Sequence, residues 1–190
     1  GMPCPGERTV TDIVYHLPDI GGTEVPGLLR PDGRPATLLL IGAGYSAATA
    51  IVALDQVRRE LPRAPIGEVY WVTREDAEVP IQRIPNDSLP ARDQLAVEAN
   101  QIARNTAGIV EWLPRHGVRR IGERAIDGRR QVVLENTSNR SSHSISVDRI
   151  IANVGYRPDR SIYEELQVHE CYATQGPMKL AAKLLGETSV

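Results

Sequence analysis

The stretch Thr37-Leu-Leu-Leu-Ile-Gly-Ala-Gly-Tyr-Ser-Ala47 decides the fold. Thr37 to Ile41 is a continuous apolar run bounded by Gly42, the pattern of a strand buried on both faces of a parallel sheet. Beyond the glycine turn, Ala47, Ala50, Ile51, Leu54, Val57 and Leu61 recur at helical spacing until Pro62 ends the pattern. Strand, glycine turn and helix in that order give the glycines a chemical reading that the letters alone lack. Gly42 permits the tight turn, Gly44 lets the backbone approach a pyrophosphate with no Cβ in between, and Ala47 allows helix and strand to pack closely. The unpaired N–H groups of a helix starting near Tyr45 attract phosphate oxygens, and Ser46 adds a hydroxyl. The plainer alternative is that these small residues serve close packing only.

Outward from that turn, Val69-Tyr-Trp-Val72 is rich in β-branched and aromatic residues and reads as a second strand, which completes a βαβ unit. The end of this strand selects the dinucleotide, because an acidic residue there accepts from the adenosine ribose. The sequence instead runs Thr73-Arg74, followed by Glu75 and Asp76. Arg74 suits a charge-assisted contact to a 2′-phosphate, which favours NADP over NAD, with Glu75 the alternative contact to a ribose and Arg83 a weaker phosphate candidate.

Further along, a proline-punctuated loop from Glu75 to Pro90 precedes a helix near Ala91 to Arg104, with Asp87 and Ser88 as capping residues and Pro90 in its first turn. Ile109 to Leu113 is a short apolar segment. Short strand candidates follow: Asp127-Gly128 suits a hairpin turn, and Gln131 to Glu135 and Ser144 to Val147 suit strands. A last strand, Arg149 to Val154, runs into Gly155, and Gly176-Pro177 opens a short apolar helix, Met178 to Leu185. Together these predict a Rossmann-like three-layer α/β domain with a central parallel sheet and a small antiparallel meander. Residues 1–36, rich in Pro and Gly, read as an extended lead-in, 37–160 as the domain, and 161–190 as a C-terminal tail.

Composition narrows the partners. With 22 Lys and Arg against 24 Asp and Glu, the net charge is -2, which offers nucleic acid no strong attraction. Long apolar runs and a signal-peptide layout are absent, so the expectation is a cytoplasmic protein without a membrane span. Gly1 ahead of Met2 reads as the scar of a removed tag. Cys4 and Cys171 form no C-x-x-C pair, and His16, His116, His143 and His169 form no metal-spaced cluster. No catalytic residue and no metal ligand is assigned.

Three segments in order resemble the pyridine-nucleotide domain of flavoprotein oxidoreductases with two dinucleotide-binding domains, including flavin-containing monooxygenase and thioredoxin-reductase relatives. They are Gly42 to Ala47, Glu68-Val-Tyr-Trp-Val-Thr-Arg74, and Asp148-Arg-Ile-Ile-Ala-Asn-Val-Gly-Tyr-Arg-Pro-Asp159. The last resembles the family's strand ending in Ala-Thr-Gly-Tyr-x-Pro-Asp, with Asn153 and Val154 in place of Ala and Thr. The resemblance implies that Gly155 approaches the nicotinamide end of the cofactor closely, and that NADPH reduces FAD. Neither an N-terminal glycine fingerprint nor a late flavin segment is evident, so the resemblance places FAD in a separate or missing domain. Residues 161–190 look like the start of such a domain. Self-association is the other partner expectation. Two rival readings are a non-enzymatic NAD(P)-binding module and an S-adenosylmethionine-dependent methyltransferase; Arg74 has the wrong charge for the latter's ribose contact.

Overall fold

The computed structural model describes residues 4–18, 20, 30, 32–60, 66–155, 169–170 and 177–186. Two compact units are present, Gly1–Val154 and Gly155–Val190. In the first, a five-stranded parallel sheet has the order β1-β8-β2-β3-β4, formed by β1 (Ile13–Val14), β2 (Ala36–Ile41), β3 (Ile66–Val72), β4 (Val110–Leu113) and β8 (Arg149–Ala152). Helix α1 (Tyr45–Glu60) connects β2 to β3, and α2 (Pro90–Arg104) precedes β4. Between β4 and β8 the chain makes a separate antiparallel sheet of β5 (His116–Arg124), β6 (Arg130–Asn136) and β7 (Ser142–Val147).

Leu38, Leu39 and Leu40 of β2 are all fully buried, and alternation along the strand explains how. Leu38 and Leu40, with Val69, Trp71, Val110 and Ile151, pack on Ala47, Ile51 and Leu54 of α1 and on Ala96 and Ala99 of α2. Leu39, with Val72 and Ile150, faces Ile121, Val132, Leu134, Ile145 and Val147 of the antiparallel sheet. The meander is thus the third layer. Its apolar face covers the side of the parallel sheet opposite the helices, the α/β architecture expected from the sequence with the identity of the covering layer now fixed.

Part of the stretch read as a lead-in joins this architecture. Ile13–Val14 pairs in parallel with Ile150 and Ile151, and Val10 and Ile20 are buried. A strand of two residues is too short to show any periodicity in sequence. The capping expectation also needs correction: Leu89 occupies the N-cap of α2 with no side-chain cap hydrogen bond, while Pro90 does open the helix. Asp87 instead accepts from the Leu89 N–H and takes a bidentate pair from Arg92, at 2.6 Å to each oxygen. Two guanidinium donors outcompete the weaker amide bonds of a cap.

Asn100, on α2 and buried, holds the proline-punctuated loop in place. Its amide accepts from the Ile81 N–H at 3.0 Å and donates to the Ile81 carbonyl at 2.9 Å, satisfying both backbone groups of a residue that is only 1% exposed. Asn100→Ala leaves both unpaired and is expected to lower unfolding stability by about 2 kcal/mol, read from urea denaturation; an unchanged midpoint would mean that the loop reaches solvent.

At the starting ends of β2 and β8, buried Asp148 accepts from the Thr37 N–H at 2.8 Å and from Arg30 at 2.6 Å, while its own N–H donates to the Thr37 carbonyl. Nearby, Asp12 joins Arg124 and Arg130 of the antiparallel sheet. These ion pairs tie the two sheets at the end away from the glycine turn. In the second unit, α3 (Met178–Gly186) follows an antiparallel bridge between Glu170 and Pro177, and the Met178 N–H donates to the His169 carbonyl. Tyr156 to Asp159, Cys171 and most of 161–190 lie outside the described residues. No helix among the described residues is long and apolar enough to cross a membrane.

Candidate functional site

The sheet order reverses direction at β2: the chain proceeds from β2 to β3 and β4 on one side, then returns to the other side as β8, which lies between β2 and the earlier β1. In an open parallel sheet, ligands bind outside the strand ends at such a switch point. The residues there are Gly42 to Ala47 after β2 and Asn153 after β8.

Gly42 is obligatory. Its φ is 140°, and a Cβ would stand 2.3 Å from the Asn153 carbonyl oxygen. The turn is pinned on each side: the Gly42 N–H donates to Val72 O, its carbonyl accepts from the Trp71 indole at 2.8 Å, and the Asn153 N–H donates to Ile41 O. Gly44 has the opposite environment, since nothing lies within 4 Å of the position its Cβ would take. Helix α1 starts at Tyr45, so the N–H groups of its first turn lack intrahelical acceptors. Ser46 is half-buried, and Ala47 is fully buried against the sheet.

Tyr45 turns its ring into the protein. It packs at the border of the helical core, with the Arg92 guanidinium 5.8 Å from the ring centre, and its hydroxyl is buried with no partner among the described residues. Its contribution at the turn is therefore the backbone N–H. Arg92 carries its own counter-ion, Asp87.

Arg74 follows β3 at the same end of the sheet, and it is exposed. Its backbone is locked: the Thr73 carbonyl accepts from the His116 N–H at 3.0 Å, the Arg74 carbonyl from the Thr137 hydroxyl, and the Glu75 carbonyl from the Arg115 N–H. Thr73 is buried, its hydroxyl accepting from the Trp112 indole at 3.0 Å. Among the described residues no carboxylate pairs with the Arg74 guanidinium. Arg83, the weaker candidate, is bound to both oxygens of Asp93 at 2.7 Å, and these bonds hold that carboxyl below its usual range. Glu75 is exposed, and Asp76 lies 3.6 Å from Arg115. Gly155 has a left-handed φ of 88° and open space at its Cβ position, and it begins the second unit.

A cavity of about 480 Å³ lies elsewhere, at the opposite ends of β3 and β4, lined in part by Gly67, Glu68, Glu111 and Trp112. Its two carboxylates disfavour a pyrophosphate. Burial, followed by Glu7, pushes the Cys4 thiol up to about 11, so it stays protonated near neutral pH and is a poor nucleophile.

The sequence matches no protein-family model, and no curated protein matches it by sequence. Solved structures do match. L-lysine 6-monooxygenase from Pseudomonas syringae aligns over 92% of this chain and 48% of its own, with 17% identity and a TM-score of 0.62. Bacillithiol disulfide reductase from Bacillus cereus aligns over 90% of this chain and 41% of its own, with 19% identity and a TM-score of 0.60. This chain shares its fold with these two oxidoreductases. Thioredoxin reductase from Streptococcus pyogenes shares it, over 90% of this chain and 45% of its own, at 17% identity and a TM-score of 0.57. The chain spans less than half the length of each of these proteins. Sequence reading missed two parts of the candidate site: Asn153, whose backbone excludes a side chain at Gly42, and Gly117, which lies against Arg74. A glycine inside a polar strand was the available signal for the second.

Proposed function

We propose that this chain is the NADPH-binding portion of a flavin-dependent oxidoreductase and that it presents NADPH to FAD held by a separate domain. The observation that carries this reading is the junction at the switch point. Gly42 is closed to any side chain, Gly44 is open, the start of α1 offers N–H groups, and Arg74 stands without a counter-ion among the described residues. An open glycine beside a helix start fits a pyrophosphate, which needs backbone donors and close approach. Ser46 supplies a hydroxyl, Ala47 holds the helix against the strand, and Arg74 takes the 2′-phosphate. Gly155 takes the close-approach position at the nicotinamide end.

When bound, the reduced nicotinamide supplies a hydride. The protein's part is to hold the pyrophosphate and ribose so that the ring is placed, a task that needs no general acid or base from this chain.

Gly44→Val tests the pyrophosphate assignment. The added side chain meets open space within the protein, so the fold should be kept, while affinity for both NADPH and NADH should fall about tenfold or more. Fluorescence titration reads both. Unchanged binding of both nucleotides by the variant would remove the pyrophosphate from Gly44.

A further inference from the structure

We propose that Gly117, on β5, is a positioning residue that sets the phosphate selectivity of the nucleotide site, because its missing side chain leaves the seat on which Arg74 lies. The inference rests on the reading of Arg74 as the 2′-phosphate partner and assigns the antiparallel sheet a part in that site.

A Cβ built on Gly117 would meet one atom within 4 Å, the Arg74 Nε at 3.9 Å. Its φ lies outside the left-handed region, so backbone conformation does not demand glycine there. Glycine inside a strand weakens it and commonly marks a close approach by another group. The group here is the Arg74 side chain.

Three features make the seat specific. The carbonyls of Thr73, Arg74 and Glu75 are all bonded to residues at the start of β5 and just past the end of β6: His116, Thr137 and Arg115. The root of the Arg74 side chain is thereby fixed relative to Gly117. Opposite Gly117 in the ladder stands Glu135, the nearest acidic residue in register. That carboxylate is already engaged by Arg119 at 3.1 Å and Arg140 at 2.8 Å, which leaves Arg74 unneutralised among the described residues. Arg74 therefore rests on a surface with no atoms to displace it and keeps its charge for an anion. A 2′-phosphate meets that charge, whereas the free ribose hydroxyl of NADH gains much less from it.

The test is a substitution series in the 190-residue chain, Gly117→Ala, Gly117→Ser and Gly117→Val, each titrated with NADPH and with NADH and each repeated with Arg74→Ala. The alanine methyl sits in ordinary contact and should leave NADPH affinity within about twofold of the parent. Valine crowds the guanidinium and should weaken NADPH about tenfold, with NADH unchanged. Because valine favours strands, the melting temperature should hold or rise as NADPH affinity falls, opposite movements that a merely structural role would not give. In the Arg74→Ala background, Gly117→Val should have no further effect.

Parental NADPH affinity in Gly117→Val, when Arg74→Ala alone weakens NADPH, would overturn the seat and leave the phosphate reading intact. Equal weakening of NADPH and NADH would also overturn it. No preference for NADPH in the parent chain would remove the reading of Arg74, and this inference with it. Should Gly117→Val fail to fold, the serine variant carries the same comparison.

Discussion

Gly42→Ala is expected to lower unfolding stability by about 4 kcal/mol. Two independent costs add. The φ of 140° is a conformation that L side chains rarely adopt, and a methyl there would stand 2.3 Å from the Asn153 carbonyl oxygen, a separation that no real Cβ contact tolerates. Neither side can give way cheaply. The turn is bonded to Val72 O and the Trp71 indole, and Asn153 is bonded to Ile41 O. Relief would require β2 and β8 to part at their carboxyl ends. Because small domains have only about 5–15 kcal/mol of net stability, the variant should unfold at a much lower urea concentration. A midpoint close to that of the parent would mean that the turn is looser than described. Set against Gly44→Val, this variant separates two effects in one turn: loss of stability at the first glycine and, on the proposed reading, loss of nucleotide access at the third.

Arg74→Ala should reduce NADPH affinity by about ten- to a hundredfold and leave NADH nearly unchanged, the effect of deleting one or two charge-assisted hydrogen bonds. The exposure of Arg74 favours the lower end of that range, because solvent and salt screen the pair. For the same reason the NADPH advantage should shrink as ionic strength rises, whereas NADH binding should respond less. Titrations at two salt concentrations check both statements. Equal affinity of the variant and parent for NADPH would move the 2′-phosphate away from Arg74, and the two exposed acidic neighbours, Glu75 and Asp76, would then favour a free ribose.

The central elements were legible because their signals are local. Leu38 to Leu40 has the density of a strand covered on both faces, and Ala47 to Leu54 has the spacing of a helix packed on one. Gly42 could be recognised as indispensable from its place between them. The reason for it could not, since the Asn153 carbonyl that excludes a side chain comes from a strand more than a hundred residues later. The same limit governs the meander. Val132 and Leu134 stand two apart in a strand-length run and so share a face, but which layer that face covers depends on the path of the whole chain. Asp87 was a reasonable helix cap until Arg92 competed for it, and Arg83 a reasonable phosphate ligand until Asp93 did. Ion pairs of this kind are set by three-dimensional reach, to which sequence spacing is a poor guide. The two-residue strand β1 left no trace in the pattern at all.

If the turn after β2 holds a pyrophosphate and Arg74 takes the 2′-phosphate, the site prefers NADPH to NADH. Calorimetric titration of the purified, folded chain with NADPH and then NADH tests it most directly. The expected result is saturable binding of one NADPH per chain, tighter than NADH, with the difference removed by Arg74→Ala. Absence of binding by either nucleotide up to millimolar concentration, with the protein shown to be folded, would contradict it and leave Gly42 and Gly44 as packing residues only.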